Sequence, residues 1–141
     1  MRNAIPREAS AVITIPEESY QDLQDLVDRY EDLWLKEFDG VETDLTFKAT
    51  EVECPKMEMP EDVQDFLIHA VTLCPHGVYR FITEMPDIVE TSNNVAMIKT
   101  EDNKVTVYCL TRSNVESRKE ELASIIHSAF ALAGADVKFS G

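Results

Sequence analysis

At 141 residues, 44% of them hydrophobic and 28% charged, the chain is long enough to bury its own core as one domain without metal or disulfide staples. Its formal net charge of -14 would be repelled by phosphate backbones and anionic lipid, which argues against nucleic-acid and membrane-surface partners and reads otherwise as solubility. The three cysteines, Cys54, Cys74 and Cys109, form no CxxC pair, and neither an N-terminal apolar leader nor an apolar run of about 20 residues is present, so a soluble, cytoplasmic chain is expected.

Residues 1–8 read as an extended lead-in. Residues 9–15 alternate, with Ala9, Ala11, Ile13 and Ile15 on one face, and predict a strand. Pro16 suits the first turn of a helix, where its missing N–H costs nothing, and Glu17 and Glu18 complement the helix dipole there. The helix is expected to run to about residue 38, because Tyr20, Leu23, Leu26, Val27, Tyr30, Leu33, Trp34 and Phe38 recur at three-four spacing; Gly40 ends it. A second strand is predicted over 45–50, with Leu45, Phe47 and Ala49 inward.

After a break at 54–60, Pro60-Glu61-Asp62 opens a second helix carrying Val63, Phe66, Leu67, Ala70 and Val71, and Pro75-His76-Gly77 stops it. Residues 78–92 lack clean periodicity and read as a loop with some short strand pairing. The segments 94–100 and 104–112 predict a hairpin around Glu101-Asp102-Asn103. Ser113-Asn114-Val115-Glu116 has capping-box spacing before a third helix bearing Val115, Leu122, Ile125, Ile126, Ala129, Phe130 and Ala133, which Gly134 closes. A last strand is expected over 137–139. The order β-α-β-α-β-β-α-β predicts an α+β, ferredoxin-like two-layer sandwich, with helices on one face of a mainly antiparallel sheet and one domain over 1–141.

Chemistry-bearing patterns are sparse. His69, His76 and His127 lie in no metal-ligand spacing; His76, in an exposed Pro-His-Gly turn, is open to a ligand role that nothing else in the sequence supports. Asp22, Asp25, Asp28 and Asp32 fall opposite the apolar stripe of the first helix and read as its solvated face. No GxSxG elbow is present, four glycines do not supply a phosphate-cradling loop, and Cys109 reads as a small hydrophobe within a strand. No catalytic and no metal-ligating residue is therefore assigned, and the chain does not read as a self-sufficient enzyme. Two polar features stand out: the basic-leaning segment Arg2-Asn3-Ala4-Ile5-Pro6-Arg7-Glu8, and Arg112, which ends a strand just before a helix N-terminus. Arg112 either offers its planar fork to a carboxylate or forms a surface ion pair with one of the chain's 27 acids.

Arg2-Asn3-Ala4-Ile5-Pro6-Arg7-Glu8-Ala9, Met85-Pro86-Asp87-Ile88-Val89-Glu90-Thr91-Ser92-Asn93-Asn94-Val95-Ala96 and Thr111-Arg112-Ser113-Asn114-Val115-Glu116-Ser117 carry a family likeness. In order and spacing they resemble the lid domain of bacterial Xaa-His dipeptidases (aminoacyl-histidine dipeptidases), within the dizinc metallopeptidase superfamily of carnosinases and aminoacylases. The resemblance implies a partial lid domain that positions a dipeptide substrate and closes the active site but is inactive alone. Asn3 would touch substrate through its amide, and Arg112 would clamp the substrate's C-terminal carboxylate. Asn94 would either meet the ligand or fix the loop. Two divalent metal ions, zinc by the family's habit, would sit in a catalytic domain outside this sequence, which lacks the family's His-x-Asp segment, its paired glutamates and the lid's Gly-Gly-His-Ser-Gly segment. The resemblance thus implies a chain that begins and ends inside a longer protein. Its partners would be the dipeptide, the parent catalytic domain and, through an exposed edge of the first strand, a second copy in a homodimer. The alternative is a free-standing ferredoxin-like ligand-binding or protein-interaction module.

Overall fold

The structure is a computed structural model and describes residues 3–140; Arg2 of the Arg-Asn-Ala-Ile-Pro segment lies outside the described residues. The chain divides into two compact units, one drawn from Met1–Ala9 and Met59–Gly141, the other from Ser10–Glu58.

The Ser10–Glu58 unit is built on one helix. A single turn of 3-10 helix over Glu17–Ser19 leads into α1 (Tyr20–Glu37), whose Val27 is buried. Instead of forming a strand, residues 45–50 lie along α1 and take their backbone partners from its side chains. The Phe47 N–H donates to Glu31 Oε1 at 2.8 Å, and Gln24 Nε2 donates to the Ala49 carbonyl at 3.3 Å. Phe47 packs its ring on Trp34, with centroids 4.9 Å apart, and Trp34 meets Tyr30 at 5.5 Å. Residues 11–15 are exposed, and no ladder forms over 9–15. Alternation makes a segment compatible with a strand, but a ladder also needs a neighbouring backbone to take its N–H and C=O groups. Much of the expected α1 stripe, Tyr20, Leu26, Tyr30, Leu33 and Phe38, is exposed.

The second unit holds α2 (Glu61–Leu73), β1 (Gly77–Ile82), β2 (Met85–Glu101), β3 (Lys104–Ser113) and α3 (Glu116–Leu132). The strands form one antiparallel sheet in the order β1-β2-β3. Asp102 and Asn103 turn the β2–β3 hairpin with positive φ at both positions, as a two-residue type I′ turn requires. Helix α3 packs on β2 and β3, and α2 packs against α3. Ala70, Cys74, Leu122, Ile126 and Phe130 are the buried centre, with Val95, Val107, Cys109 and Val137 packed around them. Gly134, at φ +77°, ends α3 and lets the Ala135 N–H return to the Phe130 carbonyl at 3.0 Å.

A two-layer α+β sandwich with a three-stranded antiparallel sheet is therefore present, in an order that departs from the expected eight elements. Residues 78–92, read as largely loop, are mostly strand. The three register shifts between Val78 and Ile82 break the alternation that would have announced β1. Residues 137–139 form no strand: Val137 joins the core and Phe139 stacks on His127 at 6.0 Å. On α2, Val63 and Phe66 are exposed, and the buried residue is Ala70, followed by Cys74 just past the helix end.

Candidate functional site

Side chains alternate across a strand, so the β2–β3 register sorts the polar residues onto two faces. Thr91 pairs with Ser113, Asn93 with Thr111 and Val95 with Cys109, all on the face turned to the core. Thr91 and Asn93 are only 0% and 3% exposed, and both are satisfied. Thr91 Oγ1 and Ser113 Oγ are 2.8 Å apart, Thr111 Oγ1 donates to Asn93 Oδ1 at 3.0 Å, and Asn93 Nδ2 donates to the Pro75 carbonyl at 2.7 Å. These bonds tie β3 to β2 on either side of Arg112.

Ser92 pairs with Arg112 and Asn94 with Leu110, which sets Asn94 and Arg112 on the opposite face as diagonal neighbours, within the reach of long side chains. Asn94 Nδ2 donates to the Ala4 carbonyl at 2.8 Å and so holds the residue next to Asn3 against this face. The sheet thus gathers the Asn3–Ala4 segment, Asn94 and Arg112 into one neighbourhood, although they are spread over more than a hundred positions of sequence. Asn3 and Arg112 are both exposed.

Arg112 lines an open depression of about 550 Å³ with Glu90, Ser92, Asn114 and Lys119. The other charges there are engaged: Lys119 with Glu116 at 2.8 Å, Glu90 with Arg80 at 3.7 Å. No ion pair among the described residues involves Arg112. The expected capping box is not formed either. Ser113 Oγ is turned toward Thr91 and accepts the Val115 N–H at 3.1 Å, and Val115, rather than Ser113, precedes α3.

Sequence reasoning missed two further features. His76 Nδ1 accepts the Val95 N–H at 3.0 Å, so an imidazole continues the ladder beyond the end of β1. Cys74 and Cys109 bring their sulfurs to 4.0 Å, although no spacing motif links them. The hydrogen bond between the two sulfurs lowers the Cys109 thiol to about 7 and pushes Cys74 well above the usual thiol range. Among the described residues, no three His, Cys, Asp or Glu side chains are grouped as a metal site. No described helix is long and apolar enough to cross a membrane.

Comparison with known proteins places this arrangement beside bacterial dipeptidases, and the chain is related to one segment of them. It is 33% identical over 141 residues to the cytosol non-specific dipeptidase of Escherichia coli (strain K12), of which it spans 29%. The crystal structure of aminoacylhistidine dipeptidase from Vibrio alginolyticus matches 90% of the chain with a TM-score of 0.86 and 38% identity, over 26% of that protein's chain. No family model matches.

Proposed function

We propose that this chain is a lid segment of a metal-dependent aminoacyl-histidine dipeptidase, inactive alone, that positions the dipeptide and closes the active site. Arg112 clamps the substrate's C-terminal carboxylate, Asn3 contacts substrate through its side-chain amide, and Asn94 fixes the segment that carries Asn3. The observation that carries this reading is the Asn94–Ala4 hydrogen bond, which draws the Asn3 segment to the sheet face of Arg112. That no ion pair among the described residues takes up Arg112 supports it further, because a planar fork of donors suits a carboxylate. Relatedness to a segment of two dipeptidases supports the reaction class.

In this reading the metal ions, zinc by family habit, belong to a catalytic domain outside these 141 residues, and the longer protein is cytoplasmic. Together the two compact units would make up one partial lid domain.

The test is Arg112→Ala in the longer parent protein, assayed on a dipeptide and on the matching dipeptide amide. The expected result is a loss of about 10²–10³-fold in kcat/KM on the dipeptide, with little change on the amide. Equal losses on both substrates would remove the carboxylate clamp, and unchanged kinetics on both would remove Arg112 from the site.

A further inference from the structure

Cys74 and Cys109 come from different layers of the fold. Cys74 closes α2, Cys109 lies midway along β3, and their sulfurs meet 4.0 Å apart on the edge of the core. Burial of a free thiol as a small hydrophobe needs no such partner. We propose that Cys74 and Cys109 are an oxidisable thiol pair, a modification site that takes a peroxide as oxidant and closes to a disulfide between α2 and β3.

The geometry favours closure. A disulfide holds its sulfurs about 2.05 Å apart, so the pair has about 2 Å to travel. Cys74 caps the helix with extended dihedrals, φ −68° and ψ 117°, and its N–H bonds the Ala70 carbonyl at 3.0 Å, which fixes where its sulfur is presented. Asn93 steers the same site, with Nδ2 3.9 Å from Cys74 Sγ, and is itself anchored on the Pro75 carbonyl. Cys54 is exposed and belongs to the other compact unit, which makes it an internal control.

The roles of the two sulfurs follow from their exposure, Cys74 being buried and Cys109 only partly so. Cys109, the sulfur that peroxide can reach, is the nucleophile, and Cys74 beside it is the resolving thiol. Its sulfur attacks the peroxide, the O–O bond breaks, one oxygen stays as the Cys109 sulfenic acid, and the other leaves as water after taking a proton. Cys74 sulfur then attacks the sulfenic sulfur. The S–S bond forms as the S–O bond breaks, and the second oxygen leaves as water with the remaining proton. Two thiols lose two electrons, and the peroxide is reduced to two waters.

The experiment treats the Cys54→Ser protein with one equivalent of hydrogen peroxide near neutral pH, followed by mass spectrometry, thiol titration after denaturation, and thermal unfolding. The expected product is about 2 Da lighter, has no titratable thiol and yields a peptide linking Cys74 to Cys109. The cross-link bridges residues 35 apart, so Tm should rise by about 5–10 °C and return on reduction by dithiothreitol. The wild-type chain should give the same linked peptide and keep Cys54 free. Oxygen adducts on Cys109 without the cross-link, two thiols left intact, or a disulfide only between chains would each overturn the proposal.

Discussion

Thr111 donates its hydroxyl to Asn93 across the β2–β3 ladder at 3.0 Å, and Asn93 passes the connection on to the Pro75 carbonyl at 2.7 Å. A side chain 3% exposed thereby joins the turn after α2 to the strand that presents Arg112. Replacing it with an apolar residue would strand the Thr111 hydroxyl and the Pro75 carbonyl. Asn93→Leu should cost about 2–4 kcal/mol, since each buried group left without a partner costs about 1–3 kcal/mol. Urea denaturation of the two proteins measures it, and a cost below 1 kcal/mol would mean that water replaces the lost partners.

Leu122 is fully buried between α3 and the sheet, beside Ala70 and Phe130. Leu122→Ala removes its transfer energy and leaves a cavity. It should destabilise the chain by about 2–5 kcal/mol in the same assay. Leu132→Ala, by contrast, alters a residue 81% exposed and should stay within about 0.5 kcal/mol of the parent.

Asn94→Ala separates holding from contact at the proposed site. It deletes the bond to Ala4 and leaves Arg112 in place. In the longer parent it should reduce kcat/KM on dipeptides by about tenfold, which is the loss of one ordering hydrogen bond near 1.4 kcal/mol. The expected loss is smaller than that for Arg112→Ala and should appear on dipeptide amides too, because the segment with Asn3 is loosened for any substrate. An Asn94→Ala enzyme with unchanged kinetics would show that the tether is not used.

The thiol pair also sets a pH dependence. The ordinary thiol value is 9.0, the folded Cys109 is lowered to about 7 by the Cys74 hydrogen bond, and Cys74 is raised. Between about pH 7 and 9 the unfolded chain holds both protons and the folded chain only one, so stability rises with pH through this window. Above it the unfolded chain sheds both while folded Cys74 keeps its proton, so the contribution falls again. Cys109→Ser should flatten the rise. Denaturation midpoints across this range, and thiolate absorbance near neutral pH, check the sign.

The sequence disclosed its helices and hairpin well because each carries its own local signal. The α1 stripe from Tyr20 to Trp34, the β-branched residues of 104–112 and the Asp102-Asn103 turn act within a few positions. It disclosed much less where an element depends on a distant backbone. Residues 45–50 alternate like a strand but find Glu31 and Gln24 instead of a ladder, while β1, with its slipping register, hides any alternation. At the site, Asn3, Asn94 and Arg112 could be singled out as types, but their common neighbourhood rests on the Ser92–Arg112 and Asn94–Leu110 pairings. The burial of Asn93 and the meeting of Cys74 with Cys109 had no local signature, since their partners lie 18 to 35 positions away.

The imidazole that extends the β1–β2 ladder has a consequence for its own chemistry. By accepting the Val95 N–H, Nδ1 of His76 commits its lone pair to the sheet. The ring is held as the tautomer with hydrogen on Nε2, and what His76 turns outward is a donor. A residue that the Pro-His-Gly turn presents like a ligand is, in the folded chain, a peptide-group surrogate, suited to meeting an acceptor such as a carbonyl or carboxylate rather than a cation.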